Sequence, residues 1–217
     1  MESIVIEKGS FIKNKKKIVI WSIFVFAIII NVYLYVHIIN NFPHLLSSFE
    51  SPYLSISENL YEHGEYSQSY SEDRVPDASV LPVAPIIGYF VYSVFGVGLT
   101  ALEVLRIILM LSNFGIIIVA YYIGKIFNYK IGCVAAFLAA ADVSMFCWSN
   151  NFKPDMLYAF LFTLSIYFLI KFVKVKQTKK NIVLASLFLG LAVLTKAGLF
   201  ILFYPIAGFL LVFLLIV

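Results

Sequence analysis

The run from Phe160 to Val173, FLFTLSIYFLIKFV, is apolar almost throughout and shows no alternation of apolar and polar residues. Strands of a membrane β-barrel need that alternation, whereas a continuous apolar run is typical of a membrane helix. Similar runs of roughly twenty residues, enough to cross about 30 Å of hydrocarbon, recur along the chain. The sequence is 62% hydrophobic and 13% charged, against about a quarter charged in soluble domains. We therefore expect an all-α, polytopic transmembrane helical bundle.

The apolar segments give a first estimate of the spans. They lie at residues 18–40, 82–98, 101–124, 131–149, 155–173 and 181–217. The break around Lys196 and the proline at Pro205 divide the last segment into spans near 181–196 and 199–217. The first segment is longer than the apolar region of a signal peptide and precedes no small-x-small cleavage site, so we expect an uncleaved anchor. The chain stops within an apolar run, from which we expect the N-terminal part of a longer protein.

Lysines assign the two sides of the membrane. They cluster at residues 13–17, 125–130 and 171–180, and basic loops stay in the cytoplasm. Residues 1–17 are then a cytoplasmic basic tail. If every apolar segment crossed the bilayer, the cluster at 171–180 would lie outside. All three clusters lie in the cytoplasm only if segment 82–98 does not cross. This segment is short and rich in Gly, Pro and Tyr, which suits a juxtamembrane helix on the outer side. The alternative is a genuine short span at 82–98.

The predicted orientation gathers the sparse polar residues on the outer face. Loop 41–81 holds seven carboxylates and one arginine, and it shares this face with the stretches WSNNFKPDM and LTKAGL. Within the loop, ESPYLSISENLYEHG predicts a short amphipathic helix, with Pro52 in its first turn and Gly64 after its last. Its apolar residues would face the lipid; they are Leu54, Ile56, Leu60 and Tyr61. Its acids would face water; they are Glu58, Glu62 and Glu65. Glu50, at the helix start, could instead face a cavity between helices.

Four charged residues near the predicted spans are candidates for chemistry, each with a structural alternative. Asp142 lies within an apolar span, where an ionisable residue indicates function. Asp155 opens a span and could equally cap a helix and interact with its dipole. Lys196 and Arg106 either extend to the interface or bind an anionic substrate. A carboxylate with a nearby cation could serve as general base and phosphate ligand.

Other classes of function lack sequence support. There is no Cys-x-x-Cys motif, His cluster, Walker loop or GxSxG motif in the sequence, so redox, nucleotide-hydrolase and serine-hydrolase functions are not indicated. No cofactor is expected, and a divalent metal is not indicated. Cys133 and Cys147 lie in one apolar run and are expected to pack as small side chains. The net charge of +4 reflects loop lysines, so no nucleic-acid partner is expected.

The order of the motifs resembles a known family. A basic tail and one span are followed by ESPYLSISENLYEHGEYS, LPVAPIIGYFVYSVFG, AYYIGKIFNYKIG, KPDMLYAFLF and GLAVLTKAGLFILFYP. This order resembles the GT-C glycosyltransferases of the protein O-mannosyltransferase and aminoarabinose transferase type, which take a sugar from a polyprenyl-phosphate carrier on the outer face. Residues 18–217 are then a GT-C-like transmembrane domain whose first outer loop, 41–100, carries juxtamembrane helices.

The resemblance implies roles for particular residues. The family places an acid shortly before a tyrosine in the first outer loop, and Glu50 and Tyr53 occupy these places. Asp155 matches the acid that opens a later span, and Lys196 matches the lysine of an LTK element. The family's cation before the juxtamembrane helix is missing from LPVAP. The implied catalytic residues are Glu50 and Asp155.

The implied reaction is an inverting sugar transfer in a multi-pass cell-membrane protein whose N-terminus is cytoplasmic. Its partners would be a polyprenyl-phosphate-linked sugar, an unknown acceptor and the lipid bilayer. The substrate-binding candidates are Lys196, Tyr53, Arg106 and Asp142. Two alternatives remain: a transporter or flippase with a site around Asp142 and Arg106, and a non-catalytic, truncated relic of the glycosyltransferase. No internal repeat of the kind common in transporters is seen.

Overall fold

The structure of the protein is a computed structural model. It describes residues 18–30, 32–33, 36–37, 51–68, 80–142, 145 and 154–196. Glu50, Cys147 and the predicted span 199–217 lie outside these residues.

All regular structure in the described residues is helical. The principal helices are α1 (Ile18–Ile30), α2 (Ser51–His63), α3 (Val83–Phe95), α4 (Leu99–Phe127), α5 (Tyr129–Ala141), α6 (Pro154–Lys174) and α7 (Lys179–Thr195). No strand occurs in this part of the chain. Helices α4 and α6 are each long and apolar enough to cross a membrane. The prediction of an all-α membrane bundle is confirmed.

Helices α4, α5, α6 and α7 form the body of the bundle. Helices α4 and α5 make a tight hairpin around Asn128, whose side chain accepts a hydrogen bond from the Lys130 amide at 3.0 Å. Helices α6 and α7 pack closely against each other. A buried hydrogen bond links them, in which Ser165 Oγ donates to the Ala185 carbonyl at 2.9 Å. Such interhelical bonds suit a membrane bundle, where apolar burial does not by itself favour helix over lipid contacts.

Helices α4 and α6 run in the same direction. Gly115 lies against the ring of Phe160, and seven residues further along each helix Tyr122 pairs with Tyr167 at a centroid distance of 6.3 Å. One end of the bundle, here called the carboxylate end, therefore holds the starts of α4 and α6 and the end of α7. The opposite end, called the lysine end, holds the ends of α4 and α6 and the starts of α5 and α7.

Two apolar clusters hold the helices together. At the carboxylate end, Tyr92 of α3, Leu105 of α4 and Met156 of α6 belong to one cluster, and Tyr53 of α2 packs against it. The second cluster joins α1 to the α4–α5 hairpin. It consists of Ile23, Ala27, Ile117, Tyr121, Ala136 and Ala140, with Cys133 packed beside it as the sequence predicted.

Helix α3 is too short to cross a bilayer on its own. It has 13 residues, or about 20 Å of helix, against the roughly 30 Å of a hydrocarbon core. It ends at Phe95, and Gly96 follows with a φ of +71°, a conformation that glycine adopts without strain. Helix α2 before it and the start of α4 after it both lie at the carboxylate end. This agrees with a non-crossing segment at 82–98, although membrane topology itself stays a prediction.

The predicted span 131–149 was wrong in one respect. Helix α5 ends at Ala141, and Asp142 has extended backbone angles, φ −75° and ψ 100°. Aspartate is a weak helix former because its short side chain competes for nearby backbone hydrogen bonds. Asp142 therefore interrupts the helical run instead of lying within it. The predicted segments 82–98, 101–124, 155–173 and 181–196 agree with the described helices to within a few residues, and the described residues of 18–40 are helical as far as residue 37.

Candidate active site

The centre of the candidate site is an ion pair between the start of α6 and the end of α7. Lys196 Nζ donates a hydrogen bond to Asp155 Oδ1, although the two residues are 41 positions apart in the sequence. The Lys196 side chain is 42% exposed and that of Asp155 is 29% exposed. An ion pair this exposed adds little to the stability of a fold. Both groups are therefore accessible to a ligand.

The helix ends explain why opposite charges meet here. Pro154 begins α6, and its fixed φ suits a first helical position, with Asp155 beside it in the first turn. Helix α7 ends at Thr195, and the extended Lys196 follows as its C-cap, donating its amide to the Ala192 carbonyl at 3.1 Å. An acid at a helix N-terminus and a base at a C-terminus are both favoured by the helix dipole. The antiparallel packing of α6 and α7 then brings them together.

Tyr53, in the first turn of α2, is the third member of the site. Burial raises the pKa of its hydroxyl, and the negative charge of Asp155 raises that pKa further. The hydroxyl therefore lies close enough to Asp155 to respond to its charge. It stays protonated at neutral pH and can donate a hydrogen bond to an anionic or carbonyl oxygen.

Helix α2 differs from the amphipathic surface helix expected from the sequence. Its most buried residues are Ser55, Ile56, Ser57 and Asn59, whereas Tyr61 is 41% exposed. Three of these buried residues are polar, because α2 packs them against α3 and the neighbouring apolar cluster. Glu62 and Glu65 are exposed, as predicted, and Glu58 is partly buried.

Polar contacts fix the segment that follows α2. Asn59 Nδ2 of α2 donates to the carbonyl of Ser67, in the following segment, at 2.7 Å. Within α2, Ser57 Oγ donates to the Tyr53 carbonyl at 2.6 Å. Gly64, with φ +72°, ends the helix as the sequence predicted. These buried polar residues were not selected from the sequence. The run SISEN, with little apolar content in a hydrophobic chain, was the available signal.

Arg106 lies on one helix of the α4–α5 hairpin, and Asp142 directly follows the other. Arg106, near the start of α4, is only 5% exposed, and its guanidinium donates to Glu103 Oε1 at 2.7 Å. This burial contradicts the alternative in which the Arg106 side chain extends to the membrane interface. Leu105, beside it, belongs to the cluster that contains Met156, so Arg106 lies at the carboxylate end. Asp142 follows α5 and is partly buried.

The described residues bring together Asp155, Lys196 and Tyr53, and they place Arg106 at the same end of the bundle. Glu50 lies outside the described residues, directly before the first residue of α2. Among the described residues, no group of three or more potential metal ligands comes together.

Fold and site together define a helical membrane protein with an accessible acid–lysine pair at one end. Residues 76–216 match the family model of the dolichyl-phosphate-mannose-protein mannosyltransferases. The match spans more than half of the chain, so the protein belongs to this family of GT-C membrane glycosyltransferases. A search of the curated proteins and a search of the solved structures each found no match.

The matched region contains most of the candidate site. Arg106, Asp142, Asp155 and Lys196 lie within residues 76–216, whereas Tyr53 lies before them. The family membership confirms the resemblance inferred from the motif order and identifies the chain as a membrane glycosyltransferase.

Proposed function

We propose that the protein transfers a sugar from a polyprenyl-phosphate carrier to an acceptor hydroxyl on the outer face of the membrane. The observation that carries the proposal is the accessible Asp155–Lys196 pair beside Tyr53. An acid, a cation and a protonated hydroxyl at one end of a membrane bundle are the groups that such a transfer uses. The acceptor is a lipid, a glycan or a protein side chain, since each of these offers a hydroxyl.

The reaction is an inverting displacement. A carboxylate takes the proton of the acceptor hydroxyl, whose oxygen attacks the anomeric carbon of the sugar. The bond between that carbon and the phosphate oxygen breaks, and the polyprenyl phosphate leaves with the electron pair. We assign the base to Glu50 and a supporting role to Asp155, which orients the acceptor and holds Lys196. Glu50 directly precedes α2, and Tyr53 in the first turn of α2 lies close to Asp155.

Lys196 binds the phosphate of the donor in this proposal. An ammonium group has three donors, so Lys196 can bind Asp155 and a phosphate oxygen together. Its charge offsets the charge that develops on the departing phosphate. Arg106 adds a second cation at the carboxylate end and compensates for the cation missing from LPVAP. Tyr53 donates a hydrogen bond to the phosphate or the sugar, and Asp142 is a further candidate for sugar binding.

The test is a transfer assay with the full chain in proteoliposomes. The donor is a polyprenyl-phosphate sugar labelled in the sugar. We expect the labelled sugar to appear on an acceptor and polyprenyl phosphate to be released. A nucleotide-linked form of the same sugar serves as the control donor and should stay intact. Label that crosses the bilayer on an intact donor would favour the flippase alternative. A donor pool that stays uncleaved with every acceptor would contradict the proposal.

The outer placement of the site makes a separate prediction. In a variant without Cys133 and Cys147, a cysteine at Glu62, exposed after the middle of α2, should react with a membrane-impermeant maleimide in intact cells. A cysteine at Gln177, exposed in the α6–α7 loop, should react only after permeabilisation, because basic loops stay in the cytoplasm. The reverse labelling pattern would place the Asp155–Lys196 pair in the cytoplasm and refute the outer-face reaction.

A further inference from the structure

The lysine end of the bundle carries a concentrated positive charge. Seven lysines lie there: Lys125, Lys130, Lys171, Lys174, Lys176, Lys179 and Lys180. The six carboxylates within the described ranges all lie elsewhere, in α2 and the turn after it, near the starts of α4 and α6, or after the end of α5. Six of the seven lysines are exposed, and Lys171 is partly buried. In the described part of the chain, this charge has no counter-charge beside it.

Two of these lysines flank a single pair of aromatic rings. Tyr122 of α4 and Tyr167 of α6 have ring centroids 6.3 Å apart. Lys125 Nζ lies 5.7 Å from the Tyr122 centroid and 5.6 Å from that of the adjacent Tyr121, and Lys171 Nζ lies 5.5 Å from the Tyr167 centroid. The ring faces attract the ammonium groups and hold them on adjacent helices at the same level of the bundle. The result is a pair of positioned cations on a partly exposed aromatic base.

Helix stability does not account for the charge at this end. Lys125 and Lys171 lie in last turns, where the helix dipole favours them, but Lys130, Lys179 and Lys180 lie in first turns, where it disfavours them. Topology requires positive charge on this side. It does not require two of the ammonium groups to flank one ring pair.

An apolar stripe on α4 leads up to this pair of cations. Leu111, Ile118 and Tyr122 are 61%, 41% and 45% exposed, and Lys125 is exposed three residues later. Spacings of seven, four and three residues place all four on one face of the helix. The order along this face is aliphatic, aromatic and then cationic. A phospholipid has the same order, with acyl chains, an interfacial glycerol region and a phosphate.

We propose that Lys125 and Lys171 bind the phosphate of an anionic phospholipid whose acyl chain lies along the Leu111–Tyr122 face of α4. The aliphatic stripe favours a lipid over a soluble anion, because an acyl chain can pack along the face that ends at the two lysines and a free phosphate cannot. The positive charge of the seven lysines favours an anionic headgroup over a zwitterionic one, because the cation of a zwitterionic headgroup would lie among the lysines. This site is at the opposite end of the bundle from the Asp155–Lys196 pair and does not depend on the proposed transfer reaction.

The test measures lipid binding to the full chain in a neutral detergent by native mass spectrometry. Phosphatidylglycerol and phosphatidylcholine with the same acyl chains are the probes, at about 0.15 M salt, where charges more than about 8 Å apart are largely screened. Phosphatidylglycerol is expected to bind more tightly. The double variant Lys125→Ala/Lys171→Ala should bind it about 30-fold more weakly, since each lysine near an anionic headgroup contributes about fivefold.

Matched variants separate this site from diffuse charge and from misfolding. Lys176→Ala/Lys179→Ala removes the same charge from the same end and should weaken binding much less. Lys125→Arg/Lys171→Arg keeps the charge and should retain binding. Equal losses in the two alanine pairs, or equal binding of the two lipids, would overturn the proposal. Displacement of the lipid by inorganic phosphate, or equal binding of glycerophosphoglycerol without acyl chains, would show a soluble-anion site instead and would also overturn it.

Discussion

Replacing Asp155 with asparagine is expected to lower sugar transfer by about a hundredfold, because a small misplacement of the acceptor or of Lys196 can cost that much. Asparagine keeps the size of the side chain but cannot hold Lys196 by charge. The change should show in the rate of transfer at saturating donor. Circular dichroism and size-exclusion chromatography should be unchanged, because the exposed pair adds little to stability.

Exchanging the two charges distinguishes a reacting pair from a purely structural one. The double variant Asp155→Lys/Lys196→Asp can restore an ion pair but puts each charge on the wrong helix end. If the pair acts on substrate, transfer should stay as low as in Asp155→Asn. Lys196→Ala should also lose about 10²-fold or more, as expected when charge stabilisation at a leaving group is removed. Recovery of transfer in the exchanged variant would mean that the pair has only a structural role.

The control for both variants is Glu62→Gln. Glu62 is an exposed acid on α2, at the same end of the bundle, and it belongs to the same acidic loop. Its removal changes the local charge by the same amount as Asp155→Asn, so equal losses in both variants would indicate a general effect of charge. Undiminished transfer in Asp155→Asn would remove Asp155 from the reaction.

The fold could be predicted from the sequence because lipid leaves few choices. A continuous apolar run in hydrocarbon must satisfy its backbone internally, so FLFTLSIYFLIKFV had to be helical. Lysine positions then indicated which helix ends lie together. Residues 125–130 and 171–180 do fall at one end of the bundle, and Asp155 and Lys196 fall at the other. Local helix signals, such as Pro52 in the first turn of α2 and Gly64 after its last turn, also agree with the structure.

The direct contact between Asp155 and Lys196 could not be predicted from composition or spacing. It depends on how α6 and α7 pack, and on α7 ending just before Lys196, over a separation of 41 residues. The burial of Ser55, Ser57 and Asn59 depends in the same way on the position of α3 against α2. A hydrophobic pattern separates the apolar face of a helix from its polar face, but it does not show which face a neighbouring helix covers. Helix α2 also buries polar residues against protein, which a hydrophobic pattern does not reveal.

The interruption at Asp142 shows a similar limit. A span is recognised by its average hydropathy, and one aspartate among AAFLAAADVSMFCW barely changes that average. The backbone responds to the individual residue, whose side chain competes for hydrogen bonds and is costly to place in hydrocarbon. Length and composition therefore locate a membrane segment but not a break within it. Asp142 could be identified from the sequence as unusual, and its effect on the helix required the structure.

Gly124→Leu is expected to destabilise the protein by about 3 kcal/mol or more, at the upper end of overpacking effects. In the α4–α5 hairpin, a Cβ at Gly124 would lie 2.7 Å from the Gly132 Cα and 2.8 Å from its backbone nitrogen. Backbone atoms cannot rotate away as a side chain can, so the two helices would have to separate. Close approach through small residues is a main source of association between membrane helices, and the hairpin also packs against α1 through Ile117 and Ala136.

Gly190→Leu is the matched control, because it makes the same change in the interior of another helix. A Cβ at Gly190 meets nothing within 4 Å, and leucine is the better helix former by roughly 0.8 kcal/mol. Thermal unfolding in detergent, followed by circular dichroism, should therefore show a lower midpoint for Gly124→Leu and an equal or higher one for Gly190→Leu. Gly115→Leu should fall between them, since the Phe160 ring that it would meet is a side chain and can move. Equal midpoints for the Gly124 and Gly190 variants would mean that α4 and α5 do not pack through their glycines.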